Sequence, residues 1–432
     1  MNRRFEPSGP LRGTIDTPPD KSISHRAALL GAMGTEPVRI RGYLRGEDTL
    51  STLAAVRALG AAVEDSGTEI VIRGRGLRGP LEEPGTIDVG NAGTLMRLLP
   101  GWLAGLPSGS WTLDGDDSIR RRPVDRIAAP LQAMGARLDA RDQRLPPFTV
   151  HASPLTGIIY NMPVASAQVK SCVLLAGLLA RGETTVIEPE ASRDHTERML
   201  LAAGADARRD GRRVTVAPAE AIALPDLTVP GDPSSAAFHL AAAAIVPGSR
   251  VTLRNMGSNW TRTGFVRILV RMGATLGAPL EPAHAPLTPG EPVCDLEMAH
   301  AELRGTEVGA EEVPLAIDEL PLVALLGCFA EGETVVTGAG ELRVKESDRI
   351  ATVVDGLRGL GAEIEATADG FVVSGTGSLR GGVLRAHGDH RLAMLGAVAG
   401  LASAEGVEVV GMEAAAVSYP GFLDDLAHLG VF

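Results

Sequence analysis

Leu59-Gly60-Ala61 ends the first of six similar units in this chain. The other five units end in Met134-Gly135-Ala136, Ala203-Gly204-Ala205, Met272-Gly273-Ala274, Leu360-Gly361-Ala362 and Leu429-Gly430-Val431. The six glycines recur at intervals of 69 to 88 residues. Each unit reads as a short strand, a polar turn, an alanine-rich helix and a second helix that leads to the glycine. Such a period indicates an array of repeated structural units.

The repeats predict an α/β fold with two domains. Strands alternate with helices in each unit, and the short alternating strands favour mixed sheets over a doubly wound sheet. A chain of 432 residues with 44% hydrophobic residues is longer than one core usually supports. Six repeats divide into three and three, and Pro225, Pro230 and Pro233 interrupt the pattern at the midpoint.

The predicted division makes one domain discontinuous. One domain comprises residues 18–230, and the other comprises residues 1–17 and 231–432. The sixth repeat stops at Phe432, short of its closing strands. We therefore expect the residues before Pro18 to supply a strand to the second domain, so that the chain crosses between the domains twice.

The composition excludes several classes of partner. A formal charge of −12 disfavours nucleic acid and anionic membranes, and 3% aromatic residues leave few stacking platforms. Cys172, Cys294 and Cys328 lack the paired spacing of a metal site, which fits a reducing cytoplasm. No apolar run reaches the ~18 residues of a membrane span, and the N-terminus predicts no export.

Polar and charged residues collect where a strand gives way to a helix. These junctions are Asp20-Lys21-Ser22, Asn91-Ala92-Gly93-Thr94, Ser166-Ala167-Gln168, Asp232-Pro233-Ser234, Asp318-Glu319 and Asp389-His390-Arg391. Asp, Asn and Ser are ordinary N-caps, so capping alone explains many of them. It does not explain the cations, because a helix N-terminus favours negative charge. The cations indicate an anionic ligand.

The first two junctions suit a phosphate or carboxylate. Ser22 and Arg26 are i,i+4 neighbours, with Lys21 at the mouth of the helix, although the same cluster can be a solvated helix start. Gly93 lacks a Cβ atom and lets a ligand or a backbone approach, although a tight turn needs glycine too.

Arginine and lysine mark two later segments. Pro123 holds Arg122 in an extended conformation, which can aim its guanidinium inward. Lys345 and Arg349, read as i,i+4 neighbours on a helix, repel each other unless an anion lies between them. Glu346 beside these cations is expected to stay ionised and to be able to exchange a proton with a substrate carbon.

The remaining acid–base candidates lie in the second half. Asp318 can be a base or simply an N-cap, and His390 can be an acid–base group or a packed histidine. Arg391 has no evident structural reason to lie at a helix N-terminus. Lys21, Asp318, Glu346 and His390 together form a set for general acid–base work among several cations.

The ordered motifs resemble the enolpyruvyl transferases along the whole chain, and among them the branch that acts on shikimate 3-phosphate. The matching stretches are Asp20-Lys21-Ser22-Ile23-Ser24-His25-Arg26, Gly90-Asn91-Ala92-Gly93-Thr94-Leu95-Met96-Arg97, Arg122-Pro123, Ser166-Ala167-Gln168, Arg343-Val344-Lys345-Glu346-Ser347-Asp348-Arg349 and Asp389-His390-Arg391. The resemblance implies a two-domain inverse α/β barrel with three units per domain and the active site in the cleft between them. It also implies transfer of an enolpyruvyl group from phosphoenolpyruvate to shikimate 3-phosphate, without metal or organic cofactor. We expect the protein to be a monomer.

The resemblance also implies roles for individual residues. Shikimate 3-phosphate is expected to bind Lys21, Ser22, Arg26, Ser166, the Ala167 amide, Gln168, Ser192, Asp318 and Lys345. Phosphoenolpyruvate is expected to bind Lys21, Asn91, Gly93, Arg122, Gln168, Arg349 and Arg391. Asp318 would take the proton of the 5-hydroxyl group, and Glu346 with Lys21 would protonate the methylene carbon and reverse that step.

The chain departs from the family pattern at three positions. Val417 stands near the place where some relatives carry a lysine that touches phosphoenolpyruvate. Glu341 replaces an asparagine, and His195 replaces a tyrosine after the Ser192 motif, which leaves contacts to the shikimate ring open. Gly93, where insensitive relatives often carry alanine, predicts that glyphosate occupies the phosphoenolpyruvate site.

Two alternative functions compete with this interpretation, and the residues speak against the first. The sister activity transfers the enolpyruvyl group to UDP-N-acetylglucosamine, but that family typically has a cysteine before Arg-Pro and Lys-Asn at the first motif. This chain has no cysteine between Asp117 and Arg121, and it has Lys21-Ser22. The other alternative is a repeat scaffold without catalysis, which would need no acid–base set.

Overall fold

The computed structural model describes residues 1–431, and their contacts group them into two compact units. Unit 1 contains Met1–Pro18, Pro230–His284 and residues 292–431, and unit 2 contains Pro19–Val229 and Ala285–Glu291. Segment 285–291 was predicted to belong with residues 231–432 and instead groups with unit 2. By this grouping the chain passes between the units four times, whereas the prediction had two crossings.

Segment 285–291 groups with unit 2 because its polar atoms bind there. Glu291 lies 2.6 Å from Nδ1 of His195. Arg198 donates hydrogen bonds of 3.4 Å to the Thr288 hydroxyl and to the Gly290 carbonyl oxygen. The residues in these contacts are far apart in sequence, so the repeat period does not predict them.

The first half of the chain alternates strands and helices as the repeats predict. In order it contains β1 (Asn2–Phe5), β2 (Arg12–Asp16), α1 (Lys21–Met33), β3 (Val38–Arg41), α2 (Glu47–Ala58), β4 (Ala62–Asp65), β5 (Glu69–Arg73), β6 (Ile87–Asp88), α3 (Gly93–Ala104), β7 (Ser110–Asp114), α4 (Asp125–Ala133), β8 (Arg137–Arg141), β9 (Leu145–His151), β10 (Ile159–Asn161), α5 (Ala167–Gly177), β11 (Thr184–Ile187), α6 (His195–Ala202), β12 (Ala207–Asp210), β13 (Arg213–Val216) and β14 (Leu227–Thr228).

The second half repeats this pattern. It contains α7 (Pro233–Ile245), β15 (Arg250–Gly257), α8 (Gly264–Arg271), β16 (Leu276–Gly277), β17 (Val293–Ala299), β18 (Glu307–Val308), α9 (Val313–Ala316), α10 (Leu320–Phe329), β19 (Gly332–Val336), α11 (Arg349–Gly359), β20 (Glu363–Ala366), β21 (Phe371–Gly375), β22 (Gly382–Arg385), α12 (His390–Ala402), β23 (Val407–Val410) and α13 (Phe422–His428). Short 3₁₀ helices lie at Ile119–Arg121, Gly340–Val344 and Met412–Val417.

Each repeat forms one mixed sheet. In unit 2 the strand orders are β14-β3-β5-β4, β6-β7-β9-β8 and β10-β11-β13-β12, and in unit 1 they are β16-β17-β15-β2, β18-β19-β21-β20 and β1-β23-β22. In the second repeat, for example, β6 is parallel to β7, while β7 and β8 are antiparallel to β9. β1 pairs antiparallel with β23 in the sixth sheet, as expected of a strand supplied by the residues before Pro18. The predicted α/β fold of six units is confirmed.

The glycine of each repeat ending follows a helix in the same way. All six, at positions 60, 135, 204, 273, 361 and 430, have positive φ angles between 83° and 112°. At the first, the Ala61 N–H group bonds to the Val56 carbonyl oxygen and the Gly60 N–H group bonds to that of Arg57. This is a Schellman motif, and it satisfies carbonyl groups that the helix end leaves unpaired. The repeated Gly-Ala signal is therefore a helix stop.

One helix of each repeat is an inner helix, buried on nearly all sides. These helices are α1, α3, α5, α7, α10 and α12. Every residue of α7 is buried, as its alanine-rich sequence predicts. Small residues let inner helices approach closely: a Cβ atom on Gly101 in α3 would lie 2.2 Å from the Cys172 carbonyl oxygen in α5. The inner helices begin at the polar junctions, so the packing fixes the positions of the candidate site residues.

Candidate active site

The junction residues of unit 1 converge around Asp318. Its Oδ1 atom lies 3.4 Å from Nζ of Lys345 and 3.2 Å from Nη1 of Arg349. Asp318 is not the N-cap of α10, because Glu319 occupies that position. The N-cap alternative for Asp318 is therefore wrong, and its carboxylate serves two cations instead.

The segment before α11 differs from the single helix on which Lys345 and Arg349 were predicted to be neighbours. A 3₁₀ helix ends at Val344, Lys345 has ψ −153°, and α11 begins only at Arg349 after its N-cap Asp348. Lys345 and Arg349 are therefore not i,i+4 neighbours on one helix. The anion between them that the charge pattern requires is the carboxylate of Asp318. Helical spacing was the wrong premise, since Asp348 caps a new helix and interrupts the old one.

Arg349 is the most deeply paired cation of this group. Its side chain is 1% exposed and bonds to Glu346 at 2.6 Å and to Asp389 at 2.8 Å. Burial alone would lower the pKa of Arg349, but the carboxylates of Asp389 and Glu346 outweigh it and raise the pKa. Burial opposes ionisation of Asp389 as well, yet Arg349 and His390 hold the pKa of Asp389 below its ordinary value. Arg349 and Asp389 therefore form a fixed ion pair.

Asp389 connects Arg349 to the start of α12. It is the N-cap of this helix and accepts a 2.9 Å hydrogen bond from the Arg391 N–H group. His390 follows it and is buried at the first position of the helix. Nη1 of Arg391 donates to the Asp318 carbonyl oxygen at 2.9 Å and lies 3.2 Å from Glu319. Arg391 thus has partners within the protein, contrary to the expectation that nothing structural explains it.

Unit 2 carries the second group of predicted site residues, beginning at α1. Nζ of Lys21 lies 3.0 Å from Asp48 in α2, a partner with no signal in the sequence. Arg26 donates to the Ser22 carbonyl oxygen, to the Ser171 hydroxyl and to Thr196 Oγ1 at 2.7 to 3.0 Å. Burial lowers the pKa of Arg26 to about 10. The helix start is a buried hydrogen-bonded assembly, and the solvated alternative is wrong.

Gly93 stands against two guanidinium groups. A Cβ atom at Gly93 would lie 2.7 Å from Nη1 of Arg122 and 3.1 Å from Nη1 of Arg97. Arg122 has φ −84° and ψ 125°, the extended conformation that Pro123 predicts, and its side chain is largely buried. Arg97 was not predicted as a site residue, although it lies one helical turn after Gly93 and bonds to the Gly93 carbonyl oxygen. Asn91 donates a 2.5 Å hydrogen bond to an Asp116 oxygen at the same junction.

The third repeat presents a helix start over a buried ionic network. Ser166 caps α5, Ala167 is its first residue, and Gln168 is half-buried in its first turn. One turn into the helix, Nζ of Lys170 lies 2.9 Å from Glu188 and 2.7 Å from Glu197.

This network also holds Ser192. The Ser192 hydroxyl donates to Glu188, and the Ser192 carbonyl oxygen accepts from Lys170. Burial raises the pKa of Glu188. Burial opposes a charged Lys170 too, but Glu188 and Glu197 raise the pKa of Lys170 above its ordinary value. Ser192 was predicted as a site residue, whereas the network was not, because its members are dispersed in sequence.

Residues 1–431 contain no group of three or more His, Cys, Asp or Glu side chains placed to hold a metal ion. None of the described helices has the length and apolar character needed to cross a membrane. Val417 ends the 3₁₀ helix Met412–Val417.

Comparison with known proteins decides the family. The model of EPSP synthase (3-phosphoshikimate 1-carboxyvinyltransferase) matches residues 5–426. The chain belongs to the EPSP synthase family. Its six repeats are therefore those of an enolpyruvyl transferase that acts on phosphoenolpyruvate and shikimate 3-phosphate.

Relatives in this family match over nearly the whole chain. A 3-phosphoshikimate 1-carboxyvinyltransferase of Anaeromyxobacter sp. is 51% identical over 429 residues, which cover 98% of this chain and 97% of the relative. The enzyme of that name from Desulfitobacterium hafniense is 48% identical over 422 residues, covering 98% and 96%. The solved structure of EPSP synthase from Acinetobacter baumannii has a TM-score of 0.86 at 40% identity and covers 100% of this chain and 98% of its own.

Proposed function

We propose that the two groups of site residues carry out the family reaction together. The enolpyruvyl group of phosphoenolpyruvate moves to the 5-hydroxyl group of shikimate 3-phosphate, and inorganic phosphate leaves. The observation that carries the proposal is Asp318, a carboxylate that faces both Lys345 and Arg349. A carboxylate can accept a proton, and these two cations hold this one in place.

The acid–base roles follow from the charged side chains of the two groups of site residues. Asp318 takes the proton of the 5-hydroxyl group, whose oxygen then forms a bond to C2 of phosphoenolpyruvate. C3 must gain a proton in that step and lose one when phosphate leaves. Lys21 supplies an amine beside Asp48, and Glu346 supplies a carboxylate beside Arg349. We assign the protonation of C3 and its reversal to Lys21 and Glu346.

The cations divide the work of binding two multiply charged substrates. Arg122 and Arg349 with Arg391 present guanidinium groups, whose planar fork fits carboxylate and phosphate oxygens. We assign phosphoenolpyruvate to these three residues with Lys21, Asn91, Gly93 and Gln168. We assign shikimate 3-phosphate to Lys21, Ser22, Arg26, Ser166, Ala167, Gln168, Ser192, Asp318 and Lys345. Because the first residues of both sets lie in unit 2 and the last in unit 1, we propose that both units act on the same substrate pair.

Further properties follow from the same proposal. One chain carries both sets of residues, which supports a functional monomer. The three cysteines are buried and unpaired, which supports a cytoplasmic location. The missing Cβ atom of Gly93 lets the Arg122 guanidinium approach this helix start, which supports binding of the anion glyphosate in the phosphoenolpyruvate site. The sister reaction on UDP-N-acetylglucosamine is not favoured.

The test is release of inorganic phosphate from phosphoenolpyruvate in metal-free buffer, with shikimate 3-phosphate, shikimate or UDP-N-acetylglucosamine as acceptor. We expect release with shikimate 3-phosphate alone. Asp318→Asn should lower kcat by about 10²-fold or more, as the loss of a general base does, while calorimetry still detects shikimate 3-phosphate binding. Asp424→Asn, at an exposed position of α13, is the matched control and should keep wild-type kcat.

Three outcomes would contradict the proposal. Release only with the nucleotide sugar would assign the sister reaction, and silence with every acceptor would favour a scaffold. Full activity of Asp318→Asn would remove Asp318 from the role of base.

A further inference from the structure

Glu319 is an N-cap residue that does not cap its helix. Asp20, Asp232 and Asp389 each accept a hydrogen bond from a backbone N–H group of the inner helix that they precede. Glu319 precedes α10, but its side chain makes no such bond. Its Oε1 atom lies 3.2 Å from Nη1 of Arg391 instead. The carboxylate therefore points to Arg391 and not to its own helix.

This orientation is costly, which argues that it has a purpose beyond stability. Glu319 is 2% exposed, and its Oε2 atom is buried without a hydrogen-bond partner among residues 1–431. A buried carboxylate with an unsatisfied oxygen costs free energy, and a buried ion pair gains little over an apolar contact of the same shape.

The contact with Glu319 fixes which edge of the Arg391 guanidinium is occupied. Both close acceptors of its guanidinium, Glu319 Oε1 and the Asp318 carbonyl oxygen, bind the same nitrogen, Nη1. Nη2 has only a 3.9 Å ion-pair contact with Asp318, and Nε makes no hydrogen bond to residues 1–431. The Nη2 and Nε edge is one of the edges with which arginine binds a carboxylate through two parallel hydrogen bonds.

We propose that Glu319 is a positioning residue, which fixes Arg391 so that its Nη2 and Nε edge receives an anionic group of phosphoenolpyruvate. The proposal rests on the proposed function, in which Arg391 binds this substrate. Glu319 itself does not touch the substrate. It acts by holding the guanidinium in one orientation before binding, which removes an ordering cost that the substrate would otherwise meet.

The experiment measures both KM values and kcat by phosphate release, and phosphoenolpyruvate binding by calorimetry. Glu319→Ala should raise KM for phosphoenolpyruvate and weaken its binding about tenfold or more, the effect of a hydrogen bond to a charged group, and leave KM for shikimate 3-phosphate within about twofold. Glu319→Gln keeps an acceptor of the same length for Arg391, so it should restore most of the affinity and serves if the alanine variant fails to fold.

The matched control is Glu312→Ala. Glu312 is also a non-capping N-cap glutamate paired with an arginine, since it lies 2.7 Å from Arg271, which is not a site residue. We expect wild-type KM values from this variant. If Glu319 acts through Arg391, Glu319→Ala should also add no further loss of phosphoenolpyruvate affinity to an Arg391→Ala variant.

Two results would overturn the proposal. Unchanged phosphoenolpyruvate affinity with a lower unfolding midpoint would make Glu319 structural only, and additive losses in the double variant would separate it from Arg391. Failure of the proposed function gives a different result, because the wild-type protein would then release no phosphate with shikimate 3-phosphate. Calorimetry of phosphoenolpyruvate binding to the single and double variants would still test whether Glu319 acts through Arg391.

Discussion

At the scale of single residues, the space next to Gly93 matters more than the turn it forms. Gly93 is the first residue of α3, and its missing Cβ atom makes room for guanidinium nitrogens of Arg122 and Arg97. An alanine there must displace both groups by a few tenths of an ångström or more. Both are cations at a helix N-terminus, where an anionic ligand is favoured.

Gly93→Ala should therefore weaken phosphoenolpyruvate and glyphosate more than shikimate 3-phosphate. We expect KM for phosphoenolpyruvate to rise about fivefold or more, from the cost of overpacking at a tight site, and KM for shikimate 3-phosphate to stay unchanged. Steady-state phosphate release, with and without glyphosate at low phosphoenolpyruvate, measures both effects. Gly85→Ala is the control, since a Cβ atom there meets nothing within 4 Å. An unchanged phosphoenolpyruvate KM would place the substrate elsewhere.

The residues that sequence reasoning identified have local signals, and the ones it missed do not. Lys21, Arg122 and Arg391 stand beside caps, a proline or a helix start, where a cation is conspicuous. Asp48 lies in α2 and pairs with Lys21 in α1. Glu319 precedes α10 and pairs with Arg391 in α12. Which side chain meets which is decided by tertiary packing, and no short window of sequence contains that information.

At the scale of elements, the ends of helices were more predictable than the segments between them. The six glycine stops and the caps Asp20, Ser166, Asp232 and Asp389 work through hydrogen bonds to neighbours within about five residues. The segment 343–349 was misread as a helix because its charges have helical spacing, while Asp348 begins a new helix there.

The helix α5 depends on a cation that is fully buried. Lys170 lies between Glu188 and Glu197, and all three side chains are at most 3% exposed. Lys170→Met removes the cation beside Glu188 and one of the two beside Glu197, which keeps Arg209 at 3.3 Å, so the free energy of unfolding should fall by about 3 kcal/mol. Urea unfolding at neutral pH measures the change.

The control for this loss is an exposed pair of similar length. Arg250 lies 2.8 Å from Glu297, with both side chains about half exposed or more. Arg250→Met should cost less than about 1 kcal/mol. Equal losses in the two variants would show that burial of the Lys170 network adds nothing to stability.

At the scale of the whole molecule, the repeats predicted the number of units but not every connection. The N-terminal strands β1 and β2 join sheets of the sixth and fourth repeats, and the sequence predicted only that the N-terminal residues supply a strand to unit 1. Segment 285–291 gave no such sign, since it lies in a loop between β16 and β17 and is recognised only by its partners in unit 2. The sequence period shows only the features that the six repeats share, so it does not predict a segment that only one repeat contains.

Each unit also buries an uncharged imidazole, which makes the whole fold sensitive to acid. Burial lowers the pKa of His239 in unit 1 to about 3, and its Nε2 atom lies 2.8 Å from the Tyr419 hydroxyl. In unit 2 burial, with Lys21 and Arg26, holds the pKa of His25 well below its ordinary value. The unfolded chain binds a proton at each histidine near pH 6.5, whereas the folded chain does not.

Stability should therefore be complete above about pH 6.5 and fall below it, because the unfolded state then binds more protons. Each histidine contributes a slope of up to about 1.4 kcal/mol per pH unit, and for His239 the fall extends to about pH 3. His239→Gln, measured by urea unfolding between pH 7 and pH 4, should show a shallower slope by about that amount. His300→Gln, at an exposed position, should keep the wild-type slope. If His239→Gln keeps it too, His239 gains its proton in the folded state at the same pH as in the unfolded chain, and the acid sensitivity must come from other groups.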